Sequence, residues 1–522
     1  MPFQFFTKGQ TINFAHPQPL WNEHAPTISM SEIPLSKLQM EDELNRNNKT
    51  IPWRFAYEFN ANITPENAGA WQVLDDDTKI WQLKISSPNA QTLHFVFENY
   101  NLPKDAYILI YNNKNQSVIN PYNDSNNNVE RILGTTLMVG DEAVIEYVEP
   151  ANAEFKGTFS ISKIYHGYRT FGYKSTLGFG DSGSCENNVN CPIGNNWQKE
   201  KRAVVVLVAG AAFCSGSLIN NPAQDTTPFL MTAHHCGTTG TASWVFVFNY
   251  ESPNCTNTNV AQNQVVSGAT LLATNTKSDF SLFRLNSKVP LSYHPFFAGW
   301  NNSNTLPDSV IGIHHPEGDI KKISFAYNQC YDSSYTDTYT ALCWNIKHWD
   351  NGVTEPGSSG SPLYNKYHQF VGQLFGGPSY CGCDDTDKND YYGKFATSWN
   401  ADTAIHAQVK YWLDPQNTGA ISIAGFDPNP PPKNVGVENI MENDFEIYPN
   451  PVENELRIRN YELGIKSIAI YDIVGRNVNY KLASENPTYN LRLNTYDLPS
   501  GIYFLKIVDE KNNFTVKKFV KE

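Results

Sequence analysis

The stretch Glu355-Pro-Gly-Ser-Ser-Gly-Ser-Pro362 decides how this chain is read, because its small residues specify a tight turn that would expose the hydroxyl of Ser359. Two upstream segments complete the pattern: Thr232-Ala-His-His-Cys236 and Ser278-Asp-Phe-Ser-Leu282. A serine hydroxyl is a weak nucleophile until an imidazole accepts its proton and a buried carboxylate fixes the tautomer of that imidazole. The order His, Asp, Ser along a β-patterned chain fits an all-β, two-barrel architecture. The same turn would aim the backbone N–H groups of Gly357 and Ser359 at one point, the arrangement needed to hold an oxyanion. Each segment alone is modest evidence; their joint presence in this order carries the reading.

Outward from these segments, residues from about Gly178 to Gly425 read as β-rich, with continuous runs such as Ala203-Val-Val-Val-Leu-Val and Phe370-Val-Gly-Gln-Leu-Phe. Ile405, Val409 and Trp412 at i, i+4, i+7 predict a closing helix over Ala404 to Leu413. Upstream, Lys79-Ile-Trp-Gln-Leu-Lys-Ile, His94-Phe-Val-Phe, Tyr107-Ile-Leu-Ile-Tyr and Glu142-Ala-Val-Ile-Glu-Tyr alternate in the manner of a β-sandwich, whereas the first fifty residues are less periodic and read as an arm or strap. Asp427-Pro-Asn-Pro-Pro-Pro-Lys is a stiff spacer. Beyond it, Glu455-Leu-Arg-Ile, Ser467-Ile-Ala-Ile-Tyr and Gly501-Ile-Tyr-Phe-Leu-Lys-Ile predict a small second sandwich with no residues arranged for chemistry. The expected organisation is therefore an N-terminal β-rich domain (1–177), a central catalytic domain (178–425), a Pro-rich linker (426–438) and a C-terminal domain (439–522).

Composition narrows the partners. The 522 residues carry a net charge of −13 without a dense Lys/Arg cluster, so phosphate backbones and anionic lipid surfaces are poor partners. The longest apolar run, Ala203 to Phe213, is about half of the roughly 20 residues that a spanning helix needs. Met-Pro-Phe-Gln-Phe-Phe-Thr-Lys at the start lacks the basic and apolar regions of a secretory signal, so the expectation is a cytosolic chain or a missing signal. All nine cysteines fall between Cys185 and Cys383, which favours disulfides in one domain, and hence export, over scattered buried thiols. No Cys-x-x-Cys or His-Glu-x-x-His spacing is present, so no metal or other cofactor is expected, and a metalloprotease built from His234, His235, His314 or His315 is the weaker reading.

Gly183-Ser-Cys185, Cys191-Pro, Phe213-Cys-Ser-Gly-Ser-Leu218, Thr232-Ala-His-His-Cys-Gly237, Ser278-Asp-Phe, Ile313-His-His-Pro316, Gly352-Val-Thr-Glu-Pro-Gly-Ser-Ser-Gly-Ser-Pro362, Gly376-Gly-Pro-Ser and Thr397-Ser-Trp399 stand in the order seen in lysyl endopeptidases, a secreted bacterial branch of the trypsin-like serine proteases. The resemblance covers about Gly180 to Gly425. It implies a two-barrel trypsin-like fold, with His235 as general base, Asp279 as its orienting carboxylate and Ser359 as nucleophile. Gly357 and Ser359 would line the oxyanion hole. It further implies the pairs Cys214–Cys236, Cys185–Cys381 and Cys191–Cys255, with Cys330 and Cys343 joined to each other and Cys383 left over. Polypeptide substrates cut after lysine, with arginine open, would need a carboxylate at the base of the pocket. Val353 stands where the trypsin branch carries that charge, and Asp390 takes the lysyl endopeptidase position. Alternative readings of Asp384 to Asp390 are a calcium loop or a solvated acidic loop. Phe375, Gly376 and Gly377 are expected beside the substrate, Phe375 in place of the family prototype's histidine. Ser358 replaces the aspartate that pairs with a freed N-terminus in the trypsin branch, so the N-terminal domain is expected to be a pro-region, removed near Lys174 to Gly180, or else a permanent accessory domain.

Glu446-Ile-Tyr-Pro-Asn-Pro-Val452, Ile470-Tyr-Asp-Ile-Val-Gly475 and Leu498-Pro-Ser-Gly-Ile-Tyr503 resemble the sorting domains that route Bacteroidetes proteins through type IX secretion, over about residues 440 to 522. That resemblance implies an extracellular or surface-attached protein, and a Sec signal trimmed from this chain or lying upstream of Met1. The competing function is a catalytically silent surface adhesin that keeps a protease fold.

Overall fold

The computed structural model describes residues 25–114, 117–169, 182–258, 264–429, 445–460, 465–473, 476–478, 490–509 and 514–522. The 177/178 boundary, the Lys174 to Gly180 segment, the linker from 430 onward and the Val474-Gly475 end of one sorting motif lie outside these residues. The chain separates into two compact units, 1–429 and 430–522.

The alternating runs of the N-terminal region form two sheets. One carries Thr27–Ser29, Lys79–Ser86, Glu142–Glu149, Tyr107–Asn112 and Ser117–Asn123, with Ala70–Val73 on its side; the other carries Met138–Val139, Thr92–Asn101, Thr158–Gly167 and Ala56–Ile63, joined by Leu133–Gly134. Their inward faces bury Trp81, Leu83, Ile85, Phe95, Phe97, Tyr147 and Phe159 in one core, as expected of facing sheets.

The catalytic region is built on two further sheets. The first runs in the order Val265–Ser267, Val245–Val247, Val204–Ala209, Ala212–Ile219, Phe229–Ala233, Phe280–Leu285, Ala269–Asn275. The second contains Asn187–Asn188, Lys322–Ala326, Val310–His314, Pro362–Asn365, Gln369–Gly376, Asp390–Lys394, Thr340–Ile346 and Tyr331–Thr336, with Gly299–Asn301 and Ser422–Ile423 at its side. A shared core including Leu207, Leu230, Phe280, Ile313, Tyr364 and Phe395 seals the two together. Strand Trp53–Arg54 of the N-terminal region pairs antiparallel with Ala212–Phe213 of the first sheet, so the two regions share a sheet.

The all-β expectation holds, but the helix over Ala404 to Leu413 does not. A 3₁₀ turn at Ile405–Ala407 is followed by Gln408 in extended geometry (φ −148°, ψ 148°), and only Lys410–Leu413 is α-helical. Val409 and Leu413 are fully buried, while Ile405 is 47% exposed. Only the C-terminal half of the predicted stripe therefore faces the core.

In the second unit, Phe445–Tyr448, Glu455–Asn460 and Asn490–Asn494 form one sheet, and Ile465–Asp472, Gly501–Asp509 and Phe514–Lys521 another. Leu456, Ile458, Ile470, Leu493, Leu505 and Phe519 fill the space between them.

Candidate active site

The candidate side chains come from the ends of strands in both sheets. His235 follows strand Phe229–Ala233 in a short turn, and Asp279 precedes Phe280–Leu285, the antiparallel partner of that strand. The register places Ala233 opposite Phe280, which brings His235 and Asp279 together although 44 residues separate them. Ser359 precedes strand Pro362–Asn365 of the second sheet, and Asp390 opens the strand Asp390–Lys394. The site thus lies where the two sheets meet.

Asp279 is fully buried and heavily bonded. Its Oδ2 accepts from Nδ1 of His235 at 2.9 Å, and its Oδ1 accepts from the His235 amide at 3.0 Å and from the Tyr339 hydroxyl at 2.6 Å. An ionised carboxylate only accepts, so the His235 proton sits on Nδ1 and Nε2 carries the basic lone pair. Among the described residues, Nε2 has no hydrogen-bond partner. Burial and the adjacent Asp279 carboxylate push the Tyr339 phenol well above its ordinary range, so it remains a donor. Phe375 lies 5.8 Å from the His235 ring and stacks at 5.3 Å on Tyr339, forming an apolar wall on one side of the imidazole. His234 is only a neighbour, its Nδ1 held by Thr274 Oγ1 at 2.7 Å.

The hydroxyl of Ser359 does not donate to His235; it donates to the carbonyl oxygen of Lys49 at 2.6 Å. Gly357 and Gly360, with φ of +92° and +76°, turn the loop on either side of Ser359 through conformations that favour glycine. Among the described residues, the amides of Gly357 and Ser359 donate to no other group, which leaves both for an oxyanion.

Lys49 also fills the pocket in front of Asp390. Its ammonium lies 2.5 Å from Asp390 Oδ1, 3.1 and 3.0 Å from the carbonyl and hydroxyl oxygens of Thr354, and 2.8 and 2.9 Å from those of Ser379. The other carboxylate oxygen of Asp390 accepts from Trp349 Nε1 at 2.7 Å, Thr354 Oγ1 at 2.8 Å and Ser379 Oγ at 2.6 Å. Lys49 and Asp390 are both 0% exposed. Burial lowers the affinity of the Lys49 amine for its proton, and the Asp390 carboxylate opposes that loss. Gly377 has φ +141°, and a Cβ there would lie 2.3 Å from Asp390 Oδ1; one on Gly376 would lie 2.8 Å from Cγ2 of Thr50. Gly376 thus borders the bound segment, and Gly377 borders the Asp390 carboxylate at the pocket floor. Asp384, Asp385 and Asp387 are exposed, Asp385 being paired with Lys388 and His348, while Asp390 points inward, so these carboxylates do not converge as a calcium loop would require.

Next to Ser359, Ser358 is tied to His314. Ser324 Oγ donates to the Val353 carbonyl, so His314 Nε2 donates to Ser324 and its Nδ1 accepts from Ser358 Oγ at 2.8 Å. Burial lowers the His314 pKa to about 3, which keeps it neutral and able to accept. His315 Nδ1 donates to the Asp319 carbonyl, so neither histidine is arranged as a metal ligand.

Disulfides join Cys185–Cys381, Cys191–Cys255 and Cys214–Cys236. The expected Cys330–Cys343 bond is absent and both thiols are free. Cys330 packs with Trp344 and Ile346, whereas Cys343 packs with Ala341 and Phe375. Successive strand residues face opposite sides of a sheet, so Cys343 is directed away from the Trp344 face. Cys383 is also free.

Three contributors escaped the sequence reading: Lys49, Tyr339, and the Thr354–Ser379–Trp349 cage. Of these, only Lys49 carried a usable sign, a lysine within the non-periodic strap of a chain whose pocket was expected to take lysine.

Residues 179–393 match the family described as lysyl endopeptidase, C-terminal domain, and residues 446–522 match the secretion system C-terminal sorting domain. A lysyl endopeptidase of Pseudomonas aeruginosa is 30% identical over 315 residues, 55% of this chain and 64% of that protein; the chain thus spans less than two thirds of this relative's length. Among solved structures, an inactive form of Rv3671c from M. tuberculosis aligns with TM-score 0.28 and 17% identity over 40% of this chain and 86% of that one. The MamO protease domain of Magnetospirillum magneticum aligns with TM-score 0.27 and 13% identity over 38% of this chain and 93% of that one. No helix among the described residues is long and apolar enough to cross a membrane. The sorting-domain match and the lysyl endopeptidase relative point to a secreted or cell-surface protein.

Proposed function

We propose that this protein is an exported serine endopeptidase that hydrolyses peptide bonds on the carboxyl side of lysine through an acyl-enzyme. One observation carries the reading: a lysine side chain lies in a fully buried polar cage against Asp390 while its own carbonyl touches the hydroxyl of Ser359. A buried ammonium without a counter-charge is costly, so a pocket that surrounds one with a carboxylate and four further oxygens is built for that group. The direct 2.5 Å contact leaves no room for the longer, planar guanidinium of arginine between backbone and carboxylate, which supports lysine over arginine.

In the proposed reaction Ser359 Oγ attacks the carbonyl carbon as His235 Nε2 takes its proton. Asp279 and Tyr339 fix the imidazole and stabilise its charged form. The amides of Gly357 and Ser359 receive the oxyanion; the amine leaves with the proton from His235, and water releases the acyl group. The C-terminal domain would hand the chain to a type IX secretion apparatus, and residues 1–177 would serve as a pro-region.

The test is a mass-spectrometric map of cuts in a denatured protein mixture, with Ser359→Ala as control. Cuts after lysine, lost in the variant, are the expected result. Serine-dependent cuts elsewhere would remove Asp390 from its role. A folded chain that neither cuts nor reacts with a fluorophosphonate would be the silent adhesin.

A further inference from the structure

The strap that carries Lys49 is held in the site in a particular way. Its carbonyl oxygen is 2.6 Å from Ser359 Oγ; with a C=O length of about 1.23 Å, the carbonyl carbon lies within about 3.8 Å of the nucleophile. Reacting atoms in a near-attack geometry stand at about 3–3.5 Å, and His235 Nε2, the group that would take the hydroxyl proton, has no hydrogen-bond partner among the described residues. On the far side of the bond, the Thr50 amide donates to Asn48 Oδ1 at 2.9 Å, and the Thr50 hydroxyl lies 2.7 Å from Asp337 Oδ2.

Both flanks are anchored independently of that bond. On the N-terminal side, Asp42 at the end of helix Leu35–Leu44 accepts from Arg54 at 2.7 Å, Arg169 at 2.8 Å and the Tyr168 hydroxyl at 2.8 Å. On the C-terminal side, Trp53–Arg54 pairs with the strand Ala212–Ile219, and the amides of Phe55 and Ala56 both donate to the Ala211 carbonyl. Arg54 therefore ties the two flanks to each other across the bond, so scission would not let either new end diffuse away.

We propose that Lys49–Thr50 is this chain's own reactive-site bond, cut in cis by Ser359, and that the nicked strap stays bound as a tethered inhibitor. The proposal rests on the proposed lysine-cutting activity. Ser359 Oγ forms an ester with the Lys49 carbonyl carbon and its proton passes to His235 Nε2; the C–N bond to Thr50 breaks and Thr50 leaves as an amine carrying that proton. A solvent water then hydrolyses the ester, releasing the Lys49 carboxylate and restoring the hydroxyl. Because the Thr50 amine remains fixed beside the ester, its effective concentration is high and re-formation of the peptide bond competes with that hydrolysis.

The experiment follows the full chain by intact mass and N-terminal sequencing, native and denatured. Expected are two fragments, one ending at Lys49 and one beginning at Thr50, that separate only on denaturation. They should appear at a rate unchanged over a hundredfold dilution, and be absent in Ser359→Ala and in Lys49→Gln. A rate that falls with dilution, or a nick of equal extent in Ser359→Ala, overturns the proposal. An intact Lys49–Thr50 bond in a chain that cuts added lysyl peptide also overturns it and makes the strap a plug. An intact bond with no cutting of peptide and no fluorophosphonate labelling overturns the proposed activity as well.

Discussion

At the scale of single residues, the proposed nucleophile, base and orienting carboxylate could be picked out in the sequence because their chemistry restricts the choice of side chain. The supporting groups could not, since a hydroxyl or an indole N–H serves many purposes and distance in sequence hides their convergence. Asp390→Asn keeps the shape of the pocket floor but removes its charge. Stranding one partner of a buried pair costs about 3–5 kcal/mol, so kcat/KM on lysyl peptides should fall by more than about a hundredfold. Substrates with an uncharged side chain of equal length should lose far less, and steady-state kinetics on the two peptides checks this. Ser358 was visible as a departure from aspartate, but its partner His314, 44 positions away, was not. His314→Phe leaves the Ser358 and Ser324 hydroxyls short of a partner, at about 1–3 kcal/mol of stability. Because the loop it loosens presents Ser359, kcat should fall while KM changes little.

At the scale of elements, alternation of apolar and polar side chains revealed the strands of both sandwiches, although Glu142–Glu149 is buried along both of its faces. Lys49 and Thr50 evaded that reading because they are held by polar groups of the site rather than by a core face. The failed helix has a similar cause: the spacing of Ile405, Val409 and Trp412 is helical, yet Gln408 is extended and Ile405 is left at the surface. His94 makes one of the contacts between the N-terminal sheets and the catalytic region. Its Nε2 donates to the Gly210 carbonyl at 3.0 Å, and its ring stacks on Tyr165 at 4.3 Å. Burial lowers its pKa to about 3, so it is neutral in the folded chain and titrates near 6.5 when unfolded. Between those values the unfolded state binds a proton that the folded state refuses. This contribution to stability is therefore constant above about pH 6.5 and falls as the pH drops toward 3. From pH 7 to pH 5 the loss is up to about 2 kcal/mol for this group. His94→Phe should be less stable than the parent at pH 7.5 for want of the Gly210 bond, and the gap should narrow at pH 5. Urea midpoints of both chains at the two pH values give that difference, in which other titrating groups cancel.

At the scale of the whole molecule, cysteine segregation correctly placed the cross-links in the catalytic region, and three of four expected pairs are present. The fourth failed because spacing along the chain says nothing of which face of a strand a thiol occupies. The bonds differ in what they protect. Cys185–Cys381 closes 196 residues, and chain entropy assigns such a loop about 5 kcal/mol; Cys214–Cys236 closes 22 residues, worth about 3 kcal/mol. The short bond, however, fixes the turn that holds His235, while the long one ties Cys185, next to Glu186, to the segment just beyond Ser379 of the lysine cage. Replacing Cys185 and Cys381 together with serine should lower the urea midpoint more than replacing Cys214 and Cys236. The second double variant should instead lose more kcat at temperatures where both remain folded, because misplacing a base by about 1 Å costs on the order of a hundredfold in rate. If the two variants ranked in the same order for stability and for kcat, loop length alone would govern both properties, and the local role of Cys214–Cys236 in holding His235 would be refuted.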